Sequence, residues 1–416
     1  MRPGPLDRAR QIRRLLDREG ATGIAARLGA RAAGRLTALN RLKISVSEQD
    51  LVRAGEVAAD GWRLPPPMPA REGEPLTVAW VCMPTAGPGS GGHTTIFRQI
   101  EALERRGHRC ILYFMNPDGW AIAQHRETMR VLRPGMRAQV RDVTDGIEDA
   151  HAIFATSWET AYPVLGSKAR GTRFYFVQDF EPWFYPAGSQ ALLAEATYRF
   201  GFHGVTAGRW LAEMLTRDYG MSADYFDFGC DLAHYRFDPD APRTAICYYA
   251  RHSKARRAFE LGCATLGLFA SRHPDVDIHF YGDKAPRLPY RIIDHGQLSP
   301  DELNGLYNRC VAGLVLSATN VSLVPHEMLG AGCVPVVNDA EHNRIVLDNE
   351  QVAYAPPTPF ELANALSELV RRPAHERIAA AAAAAASVRS RTWETAGDQL
   401  ERAVRHVVTA ASAVAV

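Results

Sequence analysis

Short apolar runs alternate with helical stretches twice along this chain, and that alternation limits what it can fold into more than any other feature. Leu76–Met83 (LTVAWVCM) is an apolar run between turn residues, the pattern of a parallel strand covered on both faces. A glycine-rich loop follows at Gly87–Gly92. Thr94–Arg106 then places Ile96, Ile100 and Leu103 on one helical face, Gly107 stops the helix, and Cys110–Met115 is a second apolar run. Strand, glycine loop, helix and strand in about 40 residues make a βαβ unit. Ala152–Ala155, Arg173–Val177 and His203–Val205 continue the strand series. After 240 the alternation resumes with strands at Thr244–Ala250, Asp277–Gly282, Gly313–Ser317 and Val334–Val337. Helices are expected between them at Ala258–Ser271, Ser299–Cys310 and Pro325–Ala331, and then over 358–371 and Thr392–Val408. Two βα-rich halves joined near 226–242 argue an α/β chain of two Rossmann-like domains facing a cleft. The expected bounds are 1–75 for an extension and linker, 76–240 and 241–390 for the domains, and 391–416 for a final helix.

Charge separates the extension from the rest. The chain carries a net +2, yet residues 1–44 hold eleven Arg or Lys against Asp7, Asp17 and Glu19, so the remainder sums to about −6. A uniformly basic nucleic-acid binder is thereby excluded. Leu6, Ile12, Leu15 and Leu16 fall at helical spacing among the arginines, which suits either an anionic membrane surface or a solvated helix pair on the main body. Pro65–Pro67 and Pro69 close this extension. The 7 cysteines are scattered without a C-x-x-C pair, so neither a disulfide framework nor a zinc site is expected, and a reducing cytoplasm is the natural compartment. Neither an apolar signal core nor an 18-residue apolar stretch is present in the sequence.

Three segments carry residues suited to chemistry. Gly87–Gly92 allows backbone N–H groups to approach an oxygen-rich ligand, or is simply a tight strand-to-helix turn. Asn116 stands where a dinucleotide site wants an acid, which disfavours NAD. Ser317–Val337 runs from a strand through a polar turn into a helix with Glu327 in its first turn, either a carboxylate for a sugar diol or a capping residue. Asp179 and Glu181 stand i and i+2 beside Trp183, Phe184 and Tyr185. Such a group suits acceptor binding or acid–base assistance, or is a structural loop. Asp275-Val-Asp277 matches a D-x-D pattern but sits at a helix-to-strand turn, and the histidines show no metal-binding grouping.

The segment Ser317-Ala-Thr-Asn-Val-Ser-Leu-Val-Pro-His-Glu327-Met-Leu-Gly-Ala-Gly332-Cys-Val-Pro-Val-Val resembles the donor-site signature of GT-B glycosyltransferases of family 4. Tyr249-Ala-Arg251 through Arg257 is similar to that family's G-R-x-x-x-x-K-G segment. Phe280-Tyr-Gly282-Asp with His295-Gly-Gln-Leu298 is similar to its base-binding half. Gly229-Cys-Asp231 through Pro239 resembles its interdomain linker, and Thr392-Trp393-Glu394 the opening of a last helix that crosses back to the first domain. Phe176-Val-Gln-Asp179-Phe-Glu181-Pro-Trp183-Phe-Tyr185-Pro most resembles rhamnosyltransferases that use dTDP-rhamnose to build bacterial surface glycans.

The resemblance implies roles. Arg251 and Arg256 or Arg257 would hold the diphosphate, and Gly91 and Gly92 would approach it across the cleft. Glu327 would hold the ribose hydroxyls, and Gly282, Gln297 and Leu298 would line the base pocket. Ser322, Leu323 and Val324 would face the donor sugar or phosphates through their amides. The acceptor would meet Trp158, Glu159, Asp179, Glu181, Trp183 and Tyr185, with Asp179, Glu181 and Arg251 as catalytic candidates. Two departures stand out. Thr319 occupies the place of the first glutamate of the usual E-x7-E pair, which fits a 6-deoxy donor sugar. No histidine follows Ala152–Ala155, where the family often has one. The implied protein is a retaining, metal-independent hexosyltransferase without a cofactor. It would use dTDP-rhamnose and a glycan or lipid-linked saccharide acceptor in the cytoplasm, with residues 1–44 touching the inner membrane face or an assembly complex. The rivals are a transferase or epimerase using a UDP- or GDP-sugar, and a non-catalytic glycan-binding scaffold.

Overall fold

The computed structural model describes residues 46–59, 64–85, 91–116 and 119–414. The basic stretch 1–44 and most of the glycine loop, Gly87–Ser90, lie outside them. Within the extension Glu48–Ala59 is a helix, and its Arg53 side chain lies against Gly166 of the helix Trp158–Gly166. The proline-rich linker runs over the first domain, where Pro66 accepts a hydrogen bond from the Gly171 N–H at 2.9 Å.

Seven strands form the first sheet: β1 (Thr77–Cys82), β2 (Arg109–Phe114), β3 (Gln139–Asp142), β4 (Ala152–Ala155), β5 (Thr172–Val177), β6 (His203–Ala207) and β7 (Ala223–Phe226). They are ordered β3-β2-β1-β4-β5-β6-β7 and every pair is parallel. The interior strands are mostly apolar and almost wholly buried, as parallel strands covered on both faces are. Trp80 stacks on Phe154 with ring centroids 4.3 Å apart, and Phe154 on Phe174 at 4.8 Å, so side chains facing one layer lock the register.

The second sheet comprises β8 (Ala245–Ala250), β9 (Ile278–Gly282), β10 (Ile293–Asp294), β11 (Cys310–Val315), β12 (Val334–Asn338) and β13 (Ala353–Ala355), ordered β10-β9-β8-β11-β12-β13 and again parallel. Four strands escaped the sequence pattern: β3, β7, β10 and β13. All four are edge strands of two to four residues, too short or too polar to form an apolar run. The expected strand 313–317 begins earlier, at Cys310, because the preceding helix Pro300–Arg309 ends there and β11 pairs with β8 through a register shift at Cys310/Ala312.

In each sheet the strand order reverses once, between β1 and β4 and between β8 and β11. Crevices for ligands open outside the carboxyl ends of parallel strands at such points. The chain passes between the domains through Asp227–Arg243. Gly229 comes so close to the backbone of Trp393 that a Cβ would meet its nitrogen at 2.6 Å, so only glycine fits there. The last helix, Trp393–Val414, then lies on the first domain. It buries Ala396, Leu400, Val404 and Val408, and its Glu401 meets His108 Nε2 at 3.0 Å.

Candidate functional site

A cavity of about 690 Å³ opens between the two reversal points. The first domain contributes Thr85, Gly91, His93, Thr94, Phe97 and Arg98, from the end of β1 and the helix Gly91–Arg105. Gly229, Asp231 and Tyr235 come from the linker. Tyr249, Arg251, Tyr281 and Gly282 come from the ends of β8 and β9, and Gln297, Leu298, Leu303 and Tyr307 from the segment after β10. Ser322, Leu323, Val324 and Glu327 close it from the turn after β11.

Local geometry fixes several of these groups. Gly282 has φ 111°, and a Cβ there would stand 2.4 Å from the Ala250 carbonyl oxygen, so β9 can end against β8 only with glycine. The Tyr307 hydroxyl donates to the Tyr281 hydroxyl at 2.9 Å, and Tyr281 stacks on Tyr249 at 5.5 Å. A rigid aromatic wall results. Arg251 lies 3.6 Å from Asp283, a partner that orients its guanidinium while leaving donors for the cavity. His93 Nε2 is 2.9 Å from the Met83 carbonyl, and burial lowers the pKa of its ring.

Glu327 is the carboxylate on the cavity wall whose environment is most unusual. Burial raises its pKa from 4.5 to about 7; a hydrogen bond with Tyr235 opposes the rise and the negative charge of Asp231 adds to it. The Ser322 hydroxyl on the same wall has no hydrogen-bond partner among the described residues. A carboxylate, an arginine, an unsatisfied hydroxyl and an aromatic wall together can take a ligand with a hydroxylated sugar, an anionic group and a flat ring.

The second domain matches the family model of the WsaF C-terminal domain over residues 244–367. The O-antigen biosynthesis protein RfbC of Myxococcus xanthus is 31% identical over 345 residues, which are 79% of this chain and 27% of that protein. The chain thus spans about a quarter of the length of the curated relative it matches. Among solved structures, Anabaena Alr3699/HepE in complex with UDP and glucose superimposes with a TM-score of 0.62 at 13% identity, covering 80% of this chain and 100% of that one. A point mutant of S. aureus TarM, in complex with fondaparinux, α-GlcNAc-glycerol and UDP, gives 0.64 at 6% identity, covering 79% and 99%.

The fold is GT-B.

Within that GT-B frame, Gly91, Arg251, Gly282, Gln297, Leu298, Ser322, Leu323, Val324 and Glu327 come together on one cavity. Others do not reach it. Gly92 lies beside the Gln178 side chain, 3.6 Å from where its Cβ would be. Arg257 turns to Ser317 Oγ, donating at 2.7 Å, and Arg256 stacks its guanidinium over Phe184 at 4.2 Å. The expectation that these two arginines line the donor pocket beside Arg251 is corrected to a position at the neighbouring domain junction.

Asp179 and Glu181 are likewise displaced from the expected acceptor face. Both are buried. Glu181 accepts from the Trp158 backbone N–H at 2.5 Å and the Tyr175 hydroxyl at 3.1 Å, and burial raises its pKa well above its ordinary value. Trp158 is itself buried and donates from Nε1 to the Tyr185 hydroxyl at 2.9 Å. These residues brace the loop after β5. Asp179 accepts from Thr319 of the second domain, so Thr319 points away from the cavity. Of the expected acceptor set, Trp183 is exposed, 52% of it reachable by solvent, and Glu159 is half-buried.

His93, Arg98, Asp231, Tyr235, Tyr281 and Tyr307 join the site without having been singled out for it. Asp231, Tyr235 and Tyr281 lie in segments that carry the family resemblance, and Tyr307 in the expected helix Ser299–Cys310; His93 and Arg98 carry no sequence signal, since only the helix's approach to the linker brings them in. Asp275 and Asp277 lie in the turn before β9, Asp277 3.4 Å from Arg291. Among the described residues no group of three or more His, Cys, Asp or Glu is placed to hold a metal ion, and no helix is long and apolar enough to cross a membrane.

Proposed function

We propose that this chain is a glycosyltransferase that moves a hexose from a nucleoside diphosphate sugar to a hydroxyl of a growing cell-surface glycan. The observation that carries the reading is Glu327 and Arg251 on one cavity at the facing reversal points of two Rossmann-like sheets. In it, Glu327 accepts hydrogen bonds from the ribose, and Tyr281, Gly282, Gln297 and Leu298 surround the base. Arg251 meets the diphosphate, whose negative charge grows as the glycosidic bond breaks. The two domains exclude water from the reacting bond. The similarity to RfbC, named for O-antigen biosynthesis, supports a surface-glycan acceptor. The finer reading, L-rhamnose from dTDP-rhamnose by a retaining, metal-independent transfer, rests on the likeness of Phe176–Pro186 and on the family resemblance. UDP in the HepE and TarM complexes makes a uridine nucleotide the natural competitor.

Calorimetric titration with dTDP, UDP, GDP and ADP without added metal tests this. Saturable binding of one nucleotide, weakened by about tenfold or more in Arg251→Ala and Glu327→Ala, is expected from the loss of a charge-assisted contact. Preference for UDP or GDP would keep the transferase and discard dTDP-rhamnose. Binding of none would replace the enzyme with a glycan-binding scaffold.

A further inference from the structure

Beside the donor cavity the two domains are joined by a polar junction centred on one carboxylate. Asp179 follows β5 in the first domain. Its Oδ2 accepts from the Thr319 hydroxyl at 3.0 Å, and its Oδ1 accepts from the Asn320 backbone N–H at 2.8 Å and the Phe180 N–H at 2.9 Å. Arg256 Nε lies 3.5 Å from Oδ2, an ion-pair contact, and has no hydrogen-bond partner among the described residues. The Asn320 side chain reaches back, donating to the Gln178 and Ala207 carbonyls at 2.8 Å each. All of these groups are buried or half-buried, where an unmade bond costs far more than in water.

Thr319 and Asn320 belong to the turn that continues into Ser322, Leu323 and Val324 on the cavity wall. Three hydrogen bonds, two of them from the opposite domain, commit most of this carboxylate's lone pairs within the junction. We propose that Asp179 is a positioning residue: from the first domain it latches the Ser317–Leu323 turn and Arg256 of the second, holding the cleft closed and the donor-binding wall in place. The ligand consequence rests on the glycosyltransferase reading; the latch itself does not.

Asp179→Ala removes the latch. Asp179→Asn keeps the hydrogen bonds, since the amide oxygen accepts from Asn320 and the amide nitrogen donates to the Thr319 hydroxyl, while the charge facing Arg257 and Arg256 is lost. Small-angle scattering of the unliganded protein should show a larger radius of gyration for Asp179→Ala and the wild-type value for Asp179→Asn. Affinity for dTDP or UDP should fall about tenfold in Asp179→Ala, in line with a lost buried hydrogen-bond network, and recover in Asp179→Asn, while thymidine or uridine affinity stays constant in all. Thr319→Val, which deletes one bond, should fall between wild type and Asp179→Ala and serves if the alanine variant does not fold. Wild-type radius and affinity in Asp179→Ala would overturn the proposal. So would equal loss of turnover in both Asp179 variants with radius and affinity unchanged, which would make the carboxylate a chemical group. If wild type binds no nucleotide, the transferase reading fails while the scattering comparison still decides the latch.

Discussion

Arg98 and Asp231 form an ion pair that ties the first domain's cavity-facing helix to the interdomain linker, and Asp231 is also a charge that raises the pKa of Glu327. The electrostatics of the cavity is therefore coupled to how the two domains sit together.

Glu327 makes ligand binding depend on pH. Burial raises its carboxyl pKa to about 7, whereas the hydroxyls of a bound ribose would donate to the ionised form. Nucleotide affinity should rise as pH increases through about 7, with protons released on binding. Calorimetry in buffers of differing ionisation enthalpy measures the release, and Glu327→Gln should abolish it. The stability linkage has the opposite sign. The folded chain binds this proton more tightly than the unfolded one, so Glu327 lowers stability as pH rises from about 4.5 to about 7. Glu327→Gln should remove that part of the decline in thermal midpoint.

Arg98→Met leaves the Asp231 charge uncompensated, and Asp231→Asn removes it. The pH midpoint of nucleotide binding should move up in the first variant and down in the second. Global stability should change by only about 1 kcal/mol or less in Arg98→Met, because the pair is partly exposed. Equal midpoints in both variants would show that Asp231 does not act on Glu327.

Gly282→Ala places a Cβ 2.4 Å from the Ala250 carbonyl oxygen at φ 111°. Strain of about 1–3 kcal/mol is expected, read as a lower urea midpoint with an unchanged slope. Nucleotide binding should weaken with it, since the same glycine lines the cavity.

Leu400→Ala tests whether the crossover helix is an integral wall of the first domain. Leu400 is fully buried there, and truncation should cost about 2–5 kcal/mol. An exposed, accessory helix would lose almost nothing in the same denaturation experiment.

Local patterns were enough to place most of the architecture. β1, β2, β4, β5 and β8 are apolar runs whose neighbours in sequence already forbid exposure. The helix Pro300–Arg309 carries its own start signal, with the Ser299 hydroxyl and Glu302 carboxylate closing a capping box. Arg251, Gly282 and Glu327 were legible too, because each belongs to a strand end or turn whose backbone is set within a few residues. Edge strands such as β10 and β13 were not, since pairing with a neighbour, not side-chain period, makes them strands.

The tertiary structure alone decided which polar groups face the ligand and which face each other. Asp179 and Thr319 are 140 positions apart, and Arg98 and Asp231 are 133. Their meeting depends on how two separately folded sheets are turned toward one another by the linker and the returning last helix. No spacing in a single sequence encodes that rotation. Residue type could therefore mark Asp179 as a carboxylate of consequence, while only the packing of the second domain against the first could show that each of its oxygens bonds the opposite domain.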